Sequence, residues 1–278
     1  MTVLMPLCAA VLFGIAAQLL KRFPANVALS TLFANAVIAS AFVVLAAQAG
    51  FAWSEVDAAG AIITGILLFV GQYCSMKAVA HGDPGVAASV LGVKIPLVPL
   101  IVWLVFNQSP GSGVAVGASV AAVGVFLLNT RPSAKTSERP LRFTIVSAIC
   151  AAIAFAIFDV MVSRTGDNSS GTMATGLVLS TILSVIAVLR TGKKLQKTEL
   201  RNAVTGAGVM GTSMLVFILS VWLTAEPAQC NIIFATRGIT TMVLGAVIDR
   251  KLTGTRYSLT QILGALGIGA AAVATYVL

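Results

Sequence analysis

The chain has 278 residues, of which 58% are hydrophobic and only 10% are charged, and its formal net charge is +9. Because an average soluble domain has about 25% charged residues, this composition excludes a soluble globular protein and predicts an all-α membrane protein whose main partner is the lipid bilayer. Basic loops beside membrane spans account for the positive charge, so nucleic acid is excluded as a partner.

The apolar runs are long enough for helices that cross a hydrocarbon layer of about 30 Å. No basic residue precedes the first run, as a cleaved signal peptide would require, so it is predicted to be a retained span. Ten spans are predicted, at 3–20, 26–47, 58–80, 84–106, 113–129, 143–163, 171–189, 202–223, 227–248 and 258–277.

Basic residues predict the topology, because loops rich in lysine and arginine stay in the cytoplasm. Of the 18 basic residues, 15 fall in alternate breaks between the predicted spans. The opposite breaks contain Arg164 and four acidic residues. Both termini are therefore predicted to lie on the non-cytoplasmic side.

An internal repeat accompanies this pattern. An offset of 142 residues places Phe13 on Phe155, and an offset of 143 places Lys94 on Arg237. Five spans per unit is an odd number, so the two units must insert with opposite orientation. The prediction is two inverted five-helix repeats, 1–130 and 143–278, joined by a basic cytoplasmic linker at 131–142.

Two basic residues lie deep in apolar spans. Asp83-Pro84 precedes Lys94 by eleven residues, and Glu226-Pro227 precedes Arg237 by the same number. Eleven helical residues advance about 16 Å, which brings both cations near the middle of the membrane. Each costs roughly 2.5 to 3.5 kcal/mol at a helix centre unless something offsets it. We expect both to face one central cavity.

Asp159 is the carboxylate placed well inside a predicted span. Two cations against one acid leave a surplus that an anionic substrate would neutralise. The alternative is structural: Lys94 reaches toward an interface, and Arg237 forms a buried ion pair with Asp159. Asp159 is either a static counter-ion or a carrier of coupled protons.

Further residues are predicted to serve the same cavity. Pro96 and Pro99 loosen the helix that follows Lys94, and Gly238 softens the one that follows Arg237, so these three are hinge candidates. Uncharged polar groups that could contact the substrate are Gln18, Asn35, Gln72, Tyr73, Asn231 and Thr241, with Thr236 and Thr240 nearby.

The chain resembles the drug/metabolite transporter superfamily, in particular its EamA-like ten-helix members. The likeness rests on "YCSMKAVAHGDPGVAASVLGVKIPLVPLIVWLVFNQ" with "GASVAAVGVFLLN", and on the counterpart from Ser220 to "GALGIGAAAVATY". The chain departs from many relatives at Asn107-Gln108, Asp249 and Phe13-Gly14. The resemblance implies a cavity between the two halves, alternating access and a bacterial inner membrane.

The predicted function is secondary transport of a small organic anion, such as a phosphorylated, phosphonate, carboxylate or zwitterionic metabolite, with exchange or proton coupling. One alternative is an exporter of amino acids, aromatic metabolites or drugs in which the basic residues are structural. The other is a membrane enzyme or scaffold acting on lipid head groups. Since no catalytic group, metal cluster or cofactor motif stands out, we predict a protein that is not an enzyme, works without cofactor or metal, and is a monomer or homodimer.

Overall fold

A computed structural model of the chain describes residues 3–23, 25–50, 56–81, 87, 90–129, 138–164, 170–192, 196–249 and 259–277. Every regular element in these ranges is an α-helix, which confirms the all-helical prediction for this part of the chain. The helices are α1 (Leu4–Arg22), α2 (Val27–Gln48), α3 (Ala58–His81), α4 (Lys94–Phe106), α5 (Ser112–Asn129), α6 (Glu138–Arg164), α7 (Ser170–Arg190), α8 (Lys197–Thr224), α9 (Pro227–Phe234), α10 (Arg237–Asp249) and α11 (Leu259–Val277).

Local chemistry sets several helix ends. The Asn26 side chain accepts hydrogen bonds from the first amides of α2, and the Asp57 carboxylate does the same for the Ala59 amide of α3. Pro227 opens α9, where its missing N–H costs nothing. Asn107 and Ala225 end α4 and α8 in the left-handed conformation, at φ of 53° and 55°.

Five helical stretches are long and apolar enough to cross a membrane, which is consistent with a membrane protein. They are Val27–Gln48, Ala58–Ala78, Arg142–Arg164, Ser170–Arg190 and Lys197–Thr224. Shorter apolar helices cover Leu4–Leu20, Lys94–Phe106, Ser112–Leu128 and Thr260–Thr275. Many large aliphatic side chains on these helices are exposed, as expected of residues that face lipid.

Two predicted spans are not continuous helices. The span predicted at 84–106 is interrupted by a turn at Gly92 and Val93, and the one at 227–248 by a turn at Ala235 and Thr236. Helix α6 begins at Glu138, within the range 131–142 that was predicted as the linker. Residues 130–137 lie outside the described ranges.

Most of the packing joins the first five helices to the later ones. Helix α1 packs on α8 and α10, α2 on α7 and α8, and α3 on α6 and α7. Helix α4 packs on α6 and α9, and α5 packs along α11. The main apolar core lies among α1, α2, α3, α6, α7 and α8, and a smaller core lies between α5 and α11.

The α5–α11 contact depends on small residues. A Cβ built on Gly124 would lie 2.8 Å from the Gly264 carbonyl oxygen and 2.8 Å from Ile268 Cγ1, closer than real Cβ contacts. The two backbones therefore touch at Gly124, as closely packed membrane helices do.

We expect Gly124→Ala to lower the thermal unfolding temperature of the detergent-purified protein, because the added methyl group must push α5 and α11 apart. The matched control is Gly269→Ala on α11, where a Cβ meets nothing within 4 Å. Alanine favours helix by about 1 kcal/mol over glycine, so the control should unfold at an equal or higher temperature. Equal behaviour of both variants would contradict this account.

Candidate functional site

Lys94 and Arg237 each occupy the first position of a helix that follows a two-residue break. Gly92 and Val93 separate Leu91, the last residue of a preceding helical segment, from α4. Ala235 and Thr236 separate α9 from α10. Asp83 and Pro84 lie outside the described residues, whereas Glu226 and Pro227 start α9 as predicted.

The two breaks have the same backbone hydrogen bonds. The Val93 amide donates to the Val90 carbonyl at 3.1 Å and the Ile95 amide to Gly92 at 3.1 Å. At an offset of 143 residues, the Thr236 amide donates to Ile233 at 3.0 Å and the Gly238 amide to Ala235 at 3.1 Å. These i→i+3 bonds are 3₁₀ turns, which often mark functional sites when they interrupt a helix.

Lys94 is neutralised by Asp159. The Nζ atom lies 2.7 Å from Asp159 Oδ2, and the two side chains are only 4% and 2% exposed. The Asn231 amide, on α9, donates to the same oxygen at 2.6 Å and to the Pro227 carbonyl at 2.8 Å. Such buried, charge-assisted hydrogen bonds hold α4, α6 and α9 together at one point.

Asp159 forms its direct ion pair with Lys94 and not with Arg237, unlike in the structural alternative considered for this pair. No carboxylate in the described ranges lies within 4 Å of the Arg237 guanidinium. Instead the guanidinium carbon lies 4.4 Å from the centre of the Phe234 ring and 4.9 Å from that of Phe13. Each contact of this kind contributes about 0.5 to 2 kcal/mol but leaves the positive charge in place.

Phenylalanine rings connect the two cations. Lys94 Nζ lies 4.9 Å from the Phe217 ring centre and 5.2 Å from that of Phe155. Phe217 stacks on Phe234 at 4.4 Å, and Phe234 contacts Arg237 at 4.4 Å. The separations of 4.9, 4.4 and 4.4 Å place the two charged groups no more than about 14 Å apart.

These four rings were missed as site residues by sequence reasoning, although a signal for two of them existed. Phe13 and Phe155 coincide at the 142-residue offset, and each ring contacts the cation of the opposite half. The same offset aligns Asp159 with Ala17. Relative to Arg237, Ala17 therefore occupies the position that Asp159, the counter-ion, occupies relative to Lys94.

The cluster has an excess of positive charge. Asp159 interacts electrostatically with both Lys94 and Arg237, and the two cations repel each other. Among the described residues of this cluster, one carboxylate balances two cations. A surplus charge within an apolar span is costly in a membrane, and an anion is the simplest group that would offset it.

Gln18 and Thr241 form side chain to backbone hydrogen bonds in the first turn of α10, which begins at Arg237. The Gln18 amide donates to the Thr241 carbonyl at 3.1 Å, and the Thr241 hydroxyl donates to the Arg237 carbonyl at 2.7 Å. The Thr240 hydroxyl donates to the Ala10 carbonyl at 2.9 Å, where α10 passes close to Gly14. These bonds fix the first turn of α10 against α1.

Three other predicted substrate contacts do not touch the two cations directly. Asn35 donates to Ser184 on α7, and Tyr73 stacks on Phe69 with Lys77 near its ring. Gln72 is buried on α3. No described hydrogen bond or ring contact joins these three side chains to Lys94 or Arg237.

The hinge candidates lie just beyond the breaks rather than in them. Pro96 is the third residue of α4, and Pro99 is inside it. Gly238 is the second residue of α10, and its Cα faces Leu128 of α5 so closely that a Cβ would lie 2.6 Å from Leu128 Cδ2. Their role as hinges stays a prediction.

Comparison with known proteins identifies a fold but not a family. No protein-family model matches the chain, and no curated protein is significantly similar to it. Among solved structures, 29 chains match. One crystal structure of a protein superposes over 99% of this chain and 96% of its own, with a TM-score of 0.78 and 14% identity.

At that identity the likeness shows the fold alone. Fold and site together define a helical protein with membrane-length apolar helices and a buried cluster of charges at two helix breaks.

Proposed function

We propose that the chain is a secondary transporter that moves a small organic anion across a membrane by alternating access. The observation that carries this proposal is the charge balance of the buried cluster, in which Lys94 and Arg237 share one described carboxylate. The substrate would supply the missing negative charge at Arg237, whose guanidinium lies over the rings of Phe13 and Phe234 and has no direct carboxylate partner in the described part of the chain.

The proposed architecture is ten spans in two inverted five-helix repeats, with both termini on the non-cytoplasmic side of a bacterial inner membrane. The packing supports this repeat. In the proposed repeat, α1, α2, α3 and α4 correspond to α6, α7, α8 and α10. The contact α1–α8 then corresponds to α6–α3, the contact α2–α8 to α7–α3, and the contact α1–α10 to α6–α4. All of these contacts are present. The contacts α2–α7 and α5–α11 map onto themselves. The matching breaks before Lys94 and Arg237 add to this support.

The resemblance to EamA-like members of the drug/metabolite transporter superfamily belongs to the same proposal. Transporters with inverted repeats commonly bind substrate at interrupted helices near the bilayer midplane. In this chain the interrupted helices meet at the charged cluster. Helix N-termini carry partial positive charge, so the start of α10 adds to the attraction that Arg237 exerts on an anion.

Asp159 is proposed to hold Lys94 while the site is empty. When an anion binds near Arg237, the surplus positive charge disappears, and Asp159 and Lys94 need no rearrangement to stay neutral as a pair. Asp159 then serves as a static counter-ion. In the alternative it takes up a proton during the cycle and couples transport to a proton gradient.

Transport by purified protein in liposomes tests the proposal. We expect labelled organic anions to be taken up or exchanged, with uptake competed by other anions of similar size and not by cationic analogues. Protein-free liposomes measure leakage. Uptake of cationic compounds with no effect of anions would contradict the anion model, and turnover of lipid without solute movement would favour an enzyme.

A second candidate is export of amino acids or aromatic metabolites, with a structural role for part of the basic pair. The Lys94–Asp159 contact favours it, because one of the two cations already has a partner within hydrogen-bonding distance. In the liposome assay this candidate predicts that zwitterions compete as well as anions. Simple phosphates and dicarboxylates would then leave uptake unchanged.

A further inference from the structure

A second group of unusual polar residues lies away from the charged cluster. In the described part of the chain, four buried side-chain atoms have no hydrogen-bond partner: Asn35 Oδ1, Thr64 Oγ1, Gln72 Nε2 and Ser180 Oγ. Their residues are between 0% and 2% exposed. An unpaired buried polar atom destabilises a fold, so four in one region require an explanation.

All four belong to three helices that pack together, α2, α3 and α7. On α7, Gly176, Ser180 and Ser184 follow one another at intervals of four residues and therefore share a face. A Cβ built on Gly176 would lie 3.3 Å from Thr64 Cβ, and Ser184 accepts a hydrogen bond from Asn35 at 2.9 Å. Ser180 lies between these two contacts, one helical turn from each.

Gln72 reaches the same interface from α3. Helices α3 and α7 run in the same direction, because Gly60 lies against Thr172 and Gly65 against Leu179. Gln72 follows Gly65 by seven residues, which returns it to the same face two turns further along. That advance brings Gln72 to the level of Ser184 and hence of Asn35. We call the residues Asn35, Thr64, Gln72, Ser180 and Ser184 the polar seam.

The unpaired atoms of the polar seam define the chemistry of a ligand. Gln72 Nε2 can only donate a hydrogen bond, Asn35 Oδ1 can only accept, and the two hydroxyls can do both. None of the five side chains carries a charge, so nothing in the seam would balance a bound ion. Water both donates and accepts, and it binds where two to four polar groups converge.

We propose that the polar seam binds ordered water molecules, which join α7 to α2 and α3. One water position lies between Gln72 and Asn35, and another lies between Ser180 and Thr64. Water-mediated bonds are nearly as favourable as direct ones and exchange partners readily. This site does not depend on the proposed transport function.

The sign of a stability change tests the proposal. If the seam were dry, Ser180→Ala would remove an unpaired hydroxyl and raise the thermal unfolding temperature of the full chain in detergent. If the seam holds water, the variant loses a hydrogen bond, and we expect a decrease of about 2–4 °C. The isosteric variant Thr64→Val should behave in the same way. Ser213→Ala, which loses a direct bond to the Ala9 carbonyl, gives the size of a true loss.

Radiolytic labelling in ¹⁸O-water gives an independent measurement. Bound water converts to reactive radicals on irradiation, so we expect oxygen from water to appear on Leu68, which lies between Thr64 and Gln72 on α3. Leu128 is the control, because it is also buried, at 5% exposed against 1% for Leu68, but lies in the α5–α11 core. Higher unfolding temperatures in both seam variants, or labelling of Leu68 no stronger than that of Leu128, would overturn the proposal.

Discussion

Replacing Arg237 by glutamine is expected to reduce the initial rate of anion uptake into proteoliposomes by about 10- to 150-fold. This range corresponds to the loss of a hydrogen bond to a charged group, which contributes roughly 1.5 to 3 kcal/mol. Glutamine keeps a shorter polar side chain but removes the charge that no described carboxylate neutralises directly. Arg237→Lys should retain part of the activity, because it keeps the charge but not the planar donor pair.

Arg164→Gln is the matched control. Arg164 is exposed, hydrogen-bonds Gln108 and stacks on Phe106 at the far ends of α4 and α6, so its charge lies in solvent. Uptake should remain within about twofold of the parent rate, since exposed charges contribute little. Equal losses in both arginine variants would indicate a general effect of charge, and an unchanged rate in Arg237→Gln would contradict the proposed role of Arg237.

The variant Ala17→Asp tests the same role of Arg237 by adding a negative charge near it instead of removing its positive charge. Ala17 follows Phe13 by one helical turn and corresponds to Asp159 in the other half, so an aspartate there would reach the region of Arg237. The new carboxylate would compete with the substrate while Arg237 itself stays in place. We expect anion uptake to fall as strongly as in Arg237→Gln, whereas Ala17→Asn should have a small effect. Full uptake by Ala17→Asp would show that the anion binds elsewhere.

The charged cluster shows what the sequence could and could not predict. Lys94, Arg237, Asp159 and Asn231 were all recognised, because ionisable and amide groups are rare in apolar spans and expensive there. The sequence did not determine which of the two cations Asp159 would contact. Spans that are apolar all round give no preferred face, so the pattern does not tell which cation a given carboxylate on another helix will meet.

The helix breaks were missed for a different reason. Gly92 and Pro96 are recognisable helix-weakening residues around the first break. Ala235 and Thr236 carry no turn signal of their own, and tertiary contacts decide their conformation. Only the internal repeat indicates the second break. The offset that aligns Lys94 with Arg237 also aligns Gly92 and Val93 with Ala235 and Thr236. The same offset could have identified Phe13 and Phe155 as equivalent supports of the two cations.

Asn35, Gln72 and Tyr73 illustrate a second limit. Each was predicted to line the substrate cavity because each is polar within an apolar span. Polar side chains in membrane helices also join neighbouring helices, and Asn35 does so by bonding Ser184. Residue type alone does not separate these roles. The separation requires knowing that α2 and α3 face α7 at these positions, which depends on the packing of helices distant in sequence.

Asp159→Asn is expected to destabilise the protein strongly. Removing this carboxylate leaves the buried Lys94 and the partly buried Arg237 with no described acid between them. Breaking a buried ion pair typically costs about 3–5 kcal/mol, which corresponds to a decrease in unfolding temperature on the order of 10 °C for a chain of this size. Thermal unfolding of the detergent-purified variant, followed by intrinsic tryptophan fluorescence, measures the shift.

Lys94→Met combined with Asp159→Asn separates charge balance from packing. Lys94→Met alone leaves the Asp159 carboxylate buried without its ion-pair partner, just as Asp159→Asn leaves the Lys94 ammonium without one. Both single variants should therefore be destabilised. The double variant removes both charges while methionine fills the space of the lysine stem between Phe155 and Phe217. Because replacing a buried pair with uncharged groups is often neutral, the double variant should regain most of the lost stability. If it is no more stable than Asp159→Asn, the Lys94–Asp159 contact does not stabilise the fold through its charges. In a double variant that regains its stability, anion uptake depends on Arg237 alone. Persistent uptake by this variant would assign Lys94 a structural role.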